Sequence, residues 1–217
     1  MHVREAELPY RIVLVDDHEM VRRGLAELIG GHEGFEVAAE VRTASEALEA
    51  VAAGEPDLVL ADLVLGTGPD GIQLTKGIKA DHPNLPVLVL SGRDEALFAE
   101  RALLAGASGY VMKDEAVEVL FEAMAAAMAG RVWLSTAMTD RLLPPAVLRR
   151  SPAPSELDAD PQAAGLIAEM KSGNRTVLGL SRALNLSPAA VDAGLDRLRD
   201  RFGLPSRASL YLYVQRT

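Results

Sequence analysis

The chain contains no cysteine, which excludes disulfide bonds and thiolate metal sites. It also has no apolar run of the ~18 residues that a helix needs to span a bilayer. Residues 1–10 mix charged and apolar side chains, and this composition is not that of a signal peptide. These three absences predict a cytoplasmic protein without a membrane segment.

Positive charge is also scarce, and the formal net charge is −9. Such a balance argues against non-specific binding of nucleic acid by the whole chain. The deficit is concentrated in residues 1–130, which carry 10 basic and 23 acidic groups, a net of −13. Residues 131–150 carry 4 basic groups and 1 acidic group, and residues 151–217 carry 8 and 7. This shift predicts two modules joined by a linker.

Residues 10–130 alternate regularly between short runs rich in Val, Leu and Ile and longer helical patterns. The predicted strands are 11–15, 36–41, 58–61, 87–91 and 109–112. The predicted helices are about 20–30, 44–53, 71–81, 94–105 and 116–129. This alternation predicts an α/β fold with a doubly wound, five-stranded parallel sheet. Most strands are continuously apolar, as strands buried on both faces must be.

Polar side chains follow four of these strands, where each strand ends. They are Asp16 and Asp17, Asp62, Ser91, and Lys113. Because the carboxyl ends of parallel strands meet at one edge of the sheet, we expect these groups to share a crevice. An aspartate after a strand often only caps the next helix, but four strand ends carrying suitable groups favour a functional site.

Three carboxylates in one crevice predict a site for a hard divalent cation such as Mg²⁺. Asp17 and Asp62 would be direct ligands, and Asp16 would bind through water. The backbone carbonyl of Val64 would complete the set.

Asp62 stands alone at the end of its strand, so its free oxygen can act as a nucleophile and form an acyl phosphate. Lys113 would neutralise one oxygen of the phosphoryl group, and Ser91 would donate a hydrogen bond to another.

Residues 10–130 contain the motifs Val15-Asp16-Asp17-His18, Pro56-Asp57-Leu58-Val59-Leu60-Ala61-Asp62, Leu90-Ser91-Gly92 and Gly106-Ala107-Ser108-Gly109-Tyr110-Val111-Met112-Lys113. These motifs give this region a resemblance to the receiver domain of bacterial two-component response regulators. It implies a flavodoxin-like fold in which Asp62 accepts phosphate from a partner histidine kinase, with Mg²⁺ at Asp16, Asp17 and Asp62. It also implies that Ser91 and Tyr110 form a switch pair that reshapes the surface around residues 94–113.

The loop after Asp62 departs from the family pattern. It is one residue longer than usual before Asp70-Gly71, and Gly66 stands where proline is common. We expect a looser loop and an altered phosphate lifetime. His18, which follows the acidic pair, resembles a histidine that is structural in the family, so we do not expect it to bind the metal.

Five prolines between residues 143 and 161 predict a linker or a loosely ordered connection. Helical patterns then return at about 161–172, 176–184, 188–202 and 206–215. We therefore expect a receiver domain at 8–130, a linker at 131–155 and an all-α output domain at 156–217.

The stretch from Leu157 to Val214 has a frame of apolar and turn residues at Leu180, Ala183, Leu184, Asn185-Leu186-Ser187, Val191, Leu198, Phe202-Gly203-Leu204 and Ser209-Leu210. In this frame it resembles the LuxR-type helix-turn-helix domain of NarL/FixJ-like regulators. A small helical bundle with no DNA-binding role would give a similar apolar pattern.

The helix predicted at 188–202 would be the recognition helix, and its first half should meet the major groove. That half carries Asp192 and Asp196, which DNA phosphates would repel. Leu195 stands where the family has a polar residue, and it is either an extra core residue or an exposed apolar contact for another protein. Because singly exposed leucines are common, an interpretation without a binding role is favoured. The basic residues predicted to contact DNA are Arg175, Arg182, Arg197, Arg199 and Arg201.

The main prediction is a phosphorylation-controlled transcription regulator, not an enzyme, that dimerises and binds DNA. The alternative is a response regulator whose degenerate helix-turn-helix acts through protein–protein interaction. A metal-dependent phosphatase is a much weaker third possibility, because it would need a second acid two residues after Asp62, where Val64 stands.

Overall fold

The structure is a computed structural model that describes residues 9–66, 68–92, 96–143 and 160–216. Five strands and five helices alternate along the first part of the chain. They are β1 (Tyr10–Val15), α1 (Glu19–Gly30), β2 (Phe35–Val41), α2 (Ala44–Gly54), β3 (Leu58–Asp62), α3 (Gly71–Asp81), β4 (Val87–Ser91), α4 (Ala96–Leu104), β5 (Gly109–Met112) and α5 (Val117–Met128). The strands form one parallel sheet in the order β2-β1-β3-β4-β5. The predicted doubly wound fold is therefore confirmed.

The strand sequences explain how the sheet is covered. Every residue of β3 and β4 is buried, which agrees with their continuous apolar runs. In contrast, β2 lies at an edge and alternates between partly buried and exposed residues. Side chains of α1 and α5 pack on one face of the sheet, and those of α2 and α3 pack on the other. The carboxyl ends of the strands are left open for a site.

The predicted linker begins with ordered structure. Trp133 forms a parallel bridge with Gly109 at the start of β5, and its backbone bonds to Ser108 and Tyr110. A short helix, α6 (Thr136–Leu142), follows and is capped by the Ser135 side chain. Most of the proline-rich part, residues 144–159, lies outside the described residues, and the proposed domain boundaries stay predictions.

Within residues 160–216, four helices form the second module: α7 (Pro161–Lys171), α8 (Val177–Leu184), α9 (Pro188–Arg201) and α10 (Arg207–Arg216). Side chains of Asp160, Thr176 and Ser187 accept hydrogen bonds from the first backbone N–H groups of α7, α8 and α9. Pro188 opens α9, as the sequence predicts. Leu195 is fully buried, so of the two alternatives it is a core residue and not an exposed apolar contact.

The two modules share one apolar core. Every residue of α10 from 208 to 214 is buried, although the helix has no single apolar stripe. A helix that is buried on all sides must lie between two layers. Here α10 packs on α4 and α6 on one side and on α7 and α9 on the other. The output module is therefore closed onto the receiver module. In the part of the chain that the structure describes, no helix is long and apolar enough to cross a membrane.

Candidate functional site

The strand ends bring the predicted groups together as an acidic crevice, formed by Asp16, Asp17, Asp62, Ser91 and Lys113. Asp16 follows β1, while Asp62 and Ser91 are the last residues of β3 and β4. All three are buried. Lys113 follows β5, and its backbone N–H donates to the carbonyl of Ser91 at 2.7 Å. The parallel register thus places each group at the same edge of the sheet.

Lys113 supplies the positive charge of the crevice. Its Nζ lies 2.6 Å from Oδ2 of Asp16 and 2.8 Å from Oδ2 of Asp62. Burial raises the pKa of the Asp62 carboxyl above its ordinary value of 3.8, and the charge of Asp16 adds to this rise. The hydrogen bond and the charge of Lys113 act in the opposite direction. One ammonium group thus serves two buried carboxylates, and the crevice keeps an excess of negative charge.

A divalent cation fits this excess. Asp16, Asp17, Asp62 and His18 can each offer a ligand atom, all within 4.8 Å of one another. Oδ1 of Asp17 is buried and forms no well-directed hydrogen bond with any described residue, although Nδ1 of His18 lies 2.9 Å from it. A buried carboxylate oxygen without a donor is costly, and a bound cation would satisfy it. The cluster is of the kind that binds Mg²⁺ in receiver domains.

The imidazole ring of His18 borders the acidic crevice. Its Nδ1 lies 2.9 Å from Oδ1 of Asp17 and 3.3 Å from Oδ1 of Asp16. Its backbone N–H donates to Oδ1 of Asp16 at 2.8 Å, which fixes the start of α1. The ring itself is largely exposed. A structural role, as opposed to a ligand role, stays a prediction.

The unusual loop after Asp62 is tied down at both ends. The backbone N–H of Gly66 donates to Oδ2 of Asp17 at 3.0 Å, a bond that a proline could not form. At the other end, a Cβ atom on Gly71 would lie 2.2 Å from the carbonyl oxygen of Asp62, so only glycine fits there. The backbone N–H of Val64 donates to Oδ1 of Asp62 at 3.3 Å. The looser loop and the altered phosphate lifetime stay predictions, as does the role of the Val64 carbonyl.

The predicted switch residues lie on neighbouring strands. Ser91 ends β4, and Tyr110 lies in β5 opposite Val89. The ring of Tyr110 is buried in the apolar core that also contains α4 and α10. A change in the position of Tyr110 would therefore alter the packing of α4 against α10.

The predicted recognition helix, α9, lies away from the receiver module. It packs mainly on α7, α8 and α10. Val191, Gly194 and Leu198 face inward. The exposed residues are Pro188, Ala189, Ala193, Arg197, Asp200 and Arg201. The outer face of α9 is thus accessible in the closed arrangement, with small side chains in its first half and charges in its second half.

The two acids of α9 have an internal partner that the sequence did not reveal. Arg207, the first residue of α10, places Nη1 2.5 Å from Oδ1 of Asp192. Its Nη2 and Nε lie 2.8 and 2.9 Å from the two carboxylate oxygens of Asp196. This hydrogen bonding lowers the pKa of Asp196. Asp192 and Asp196 therefore join α9 to α10, and their like-charge repulsion of DNA is weakened.

The five predicted DNA-contacting arginines are not brought together. Arg197 and Arg201 are exposed on α9, whereas Arg199 is paired with Asp196 and Asp200.

The other two arginines contact the receiver module. Nη1 of Arg182 donates to the carbonyl of Ala80 at 2.9 Å. Arg175 is only 4% exposed and donates to Oγ of Ser108 at 3.2 Å. In the closed arrangement Arg175 is not accessible to a phosphate group.

Known proteins agree with this architecture. Residues 12–125 match the family described as the response regulator receiver domain. The chain is 31% identical over 209 residues to the DNA-binding transcriptional activator DevR/DosR of Mycobacterium tuberculosis, covering 94% of this chain and 93% of the relative. It is also 28% identical over 206 residues to the response regulator GacA of Pseudomonas protegens, covering 95% of each.

Solved structures give the same result. A LuxR-family two-component response regulator from Aurantimonas sp. SI85-9A1 is 38% identical with a TM-score of 0.58, covering 61% of this chain and 94% of its own. The response regulator ChrA of a heme-sensing two-component system is 28% identical with a TM-score of 0.53, covering 96% and 98%. Relatives of this type are transcription regulators and not enzymes, as expected from the sequence. The chain belongs to the two-component response regulators, and its resemblance to their LuxR-type members is confirmed.

Proposed function

We propose that the chain is phosphorylated on Asp62 by a sensor histidine kinase, and that phosphorylation controls dimerisation and a DNA-binding transcriptional output. The observation that carries this proposal is the position of Lys113, whose Nζ lies within 2.8 Å of both Asp16 and Asp62 in a buried crevice. Oppositely charged groups held in this way are arranged to stabilise a transferring phosphoryl group.

In the proposed reaction a carboxylate oxygen of Asp62 forms a bond to phosphorus. The P–N bond of the donor phosphohistidine breaks, and its electron pair returns to the imidazole. Lys113 would then bind a phosphoryl oxygen, and the Ser91 hydroxyl would donate to another. Asp16, Asp17, Asp62 and the Val64 carbonyl would hold Mg²⁺, which supplies neutralising charge when bound.

An exposed apolar surface beside the crevice supports a protein partner for this reaction. Met20 on α1 is 84% exposed, and Val21 and Leu28 are also exposed. A cleft runs between α1 and α5 and reaches Lys113. Contiguous exposed apolar groups mark sites of protein contact. We propose that the kinase docks here, with its phosphohistidine directed at Asp62, in the cytoplasm.

The kinase contact can be tested apart from the chemistry. Met20→Lys should slow phosphotransfer from a phosphorylated kinase that labels the wild-type chain, while labelling by acetyl phosphate stays unchanged. Leu97→Lys is a matched control, because Leu97 is also exposed but lies on α4. Equal slowing by both variants would argue against docking at α1.

The output step is supported by the shared core. Because α10 is buried between α4 and the other output helices, a change at the receiver surface alters the packing of α10. The exposed side chains of Arg197 and Arg201 are the groups of α9 available to phosphates. A gel-shift titration across salt concentrations tests this output. Binding no tighter than that of an unrelated acidic protein at low salt would exclude it.

A second output is favoured by the first half of α9. Ala189 and Ala193 are exposed there, and Asp192 and Asp196 are bound by Arg207. This surface has few donors for bases or phosphates and suits contact with another protein. Failure to bind DNA together with retained phosphorylation would support this output.

Labelling of Asp62 is the decisive test of the input chemistry. We expect the wild-type chain to form an acyl phosphate with acetyl phosphate and Mg²⁺, and Asp62→Asn to form none. Asp114→Asn is the control, because Asp114 is an exposed acid next to Lys113. Retained labelling in Asp62→Asn would refute the assignment.

A further inference from the structure

The interface between the modules buries an arginine whose donors are mostly unused. Arg175, in the turn before α8, is 4% exposed and donates only from Nη2, to Oγ of Ser108. Its Nε and Nη1 are buried and have no hydrogen-bond partner among the described residues. An unpaired buried guanidinium opposes the packing that buries it.

A buried lysine of the receiver module lies in the same interface. Lys79 on α3 is 5% exposed, and its Nζ donates to the carbonyls of Pro83 and Leu85 at 3.1 and 2.6 Å. A Cβ atom on Gly106 would lie 2.9 Å from both Cγ of Lys79 and Cγ2 of Thr176. Lys79 and the residue that follows Arg175 therefore pack against the same glycine.

Neither cation has a counter-ion among the residues that the structure describes. Within the described ranges, no carboxylate oxygen lies within 4.0 Å of Lys79 or Arg175. Lys76 lines the cleft between α3 and the start of α8, together with Lys79. The other charged or titratable groups near the two cations are the exposed Arg182, Asp81 and His82, and Tyr211, which interacts electrostatically with Arg175. Lys79 belongs to the receiver module and Arg175 to the output module. Closure therefore brings two like charges together in a poorly solvated interface.

We propose that Arg175 and Lys79 form an opposing cation pair that weakens the closed packing of the output module on the receiver module, so that neutralising either residue strengthens closure. This regulatory role rests on the proposed control of output by the receiver module. The pair keeps the closed arrangement weak enough for a modest change at the receiver surface to open it.

The protonation of Lys79 gives the pair a dependence on pH. Burial, and then the charge of Arg175, lower the pKa of Lys79 from 10.5 to about 7. A lysine whose pKa is lower in the closed form than in the open form opposes closure whenever it is protonated. The closed-to-open ratio should therefore rise with pH above about 7, by at most about tenfold per pH unit, and be flat below it.

The absence of cysteine from the chain allows a direct measurement of opening. Ser209 is fully buried on α10 and donates to the carbonyl of Leu142. In Ser209→Cys, a thiol reagent can react only when α10 leaves the receiver module, so the labelling rate, corrected for the thiolate fraction, reports the open population. Ala123→Cys, on the buried face of α5, reports unfolding of the receiver module itself.

In the full-length Ser209→Cys chain at neutral pH, we expect Arg175→Met and Lys79→Met each to slow labelling by about tenfold or more. Arg182→Met is the matched control, because it removes a direct bond across the same interface and should speed labelling. Lys76→Met, at an exposed position, should change nothing. In the Ala123→Cys chain, Arg175→Met should leave labelling unchanged.

The pH dependence supplies a second readout. The corrected rate for Ser209→Cys should fall as pH rises above about 7, and Lys79→Met should abolish this fall. Unchanged or faster labelling in both Met variants would overturn the proposal. All measurements use unphosphorylated protein, so they stand even if Asp62 proves not to accept phosphate.

Discussion

The chain holds acids in two opposite ways. In the acidic crevice, the single ammonium group of Lys113 contacts both Asp16 and Asp62. One buried oxygen of Asp17 forms no well-directed hydrogen bond with any described residue, although Nδ1 of His18 lies 2.9 Å from it. On α9, the guanidinium of Arg207 binds Asp192 and both oxygens of Asp196. An acidic cluster with unsatisfied oxygens is suited to take up a cation, whereas a satisfied one holds helices together.

The largest effect is expected from removing the charge of Lys113. Lys113→Met leaves Asp16 and Asp62 buried without a counter-ion, so the free energy of unfolding should fall by about 3 kcal/mol without Mg²⁺. Addition of Mg²⁺ should restore part of the loss. Urea unfolding with and without a chelator measures both. Lys76→Met, at an exposed position on α3, should change stability by less than about 0.5 kcal/mol.

A contrary result would show that the two acid clusters do not differ in their use of a cation. If Lys113→Met lost stability but Mg²⁺ gave no recovery, the crevice would be an ordinary buried ion pair. The unsatisfied oxygen of Asp17 would then have no bearing on metal binding.

The next effect concerns the protonation of Asp62. Its pKa is raised in the folded protein, mainly by burial, so the folded protein binds the proton more tightly than the unfolded chain does. The contribution of this group to stability should therefore grow as pH falls through the raised pKa toward 3.8, and be lost as pH rises through the raised pKa. Asp62→Asn should be more stable than wild type at neutral pH, and the difference should shrink as pH falls.

Thermal unfolding at several pH values measures this difference. Mg²⁺ should raise the midpoint of the wild-type chain more than that of Asp62→Asn, because only the former keeps all three carboxylates. Asp114→Asn should follow wild type in both respects, since Asp114 is exposed. An equal response of all three chains to Mg²⁺ would place the cation elsewhere.

The difference between the two acid clusters also explains what could be predicted from the sequence. Asp16, Asp62, Ser91 and Lys113 follow apolar runs directly, so strand periodicity and parallel topology sufficed to place them at one edge. The sheet and the helix bounds followed from the same patterns.

Contacts between distant residues could not be predicted in this way. Arg207 lies 15 residues from Asp192 and 11 from Asp196, beyond a turn whose geometry the sequence does not specify. The interface cations Lys79 and Arg175 are separated by a still longer stretch of sequence, and they come close only because of the way the modules pack. The helix α6 was missed because it has only 7 residues, and Met138 and Leu142 stabilise it by packing.

A smaller effect is expected at the satisfied cluster. Arg207→Met leaves Asp192 and Asp196 without their partner, but both are partly exposed, so the cost should be about 1 kcal/mol. Combining Arg207→Met with Asp196→Asn should recover part of this cost, and a double-mutant cycle from urea unfolding gives the coupling. Mg²⁺ should not compensate here. A recovery by Mg²⁺ like that in the acidic crevice would make the two clusters equivalent.

The smallest effect is expected at Gly66, which contacts the other oxygen of Asp17. A Cβ atom there would lie 2.9 Å from Oδ2 of Asp17, so Gly66→Ala should shift that carboxylate by a few tenths of an ångström. Its Oδ1 should then be less well placed for a cation. We expect apparent Mg²⁺ affinity, taken from the rise in unfolding midpoint, to weaken by roughly twofold, about 0.5 kcal/mol.

Gly68→Ala tests whether Gly66→Ala acts through Asp17 or through general stiffening of the loop. Gly68 has a φ of +109° and no neighbouring atoms within 4 Å of an added Cβ, so its substitution strains the loop without touching Asp17. It should reduce stability while leaving the Mg²⁺ response intact. If both variants weakened the Mg²⁺ response equally, loop conformation as a whole would hold Asp17 in place, and the Gly66 bond would be incidental.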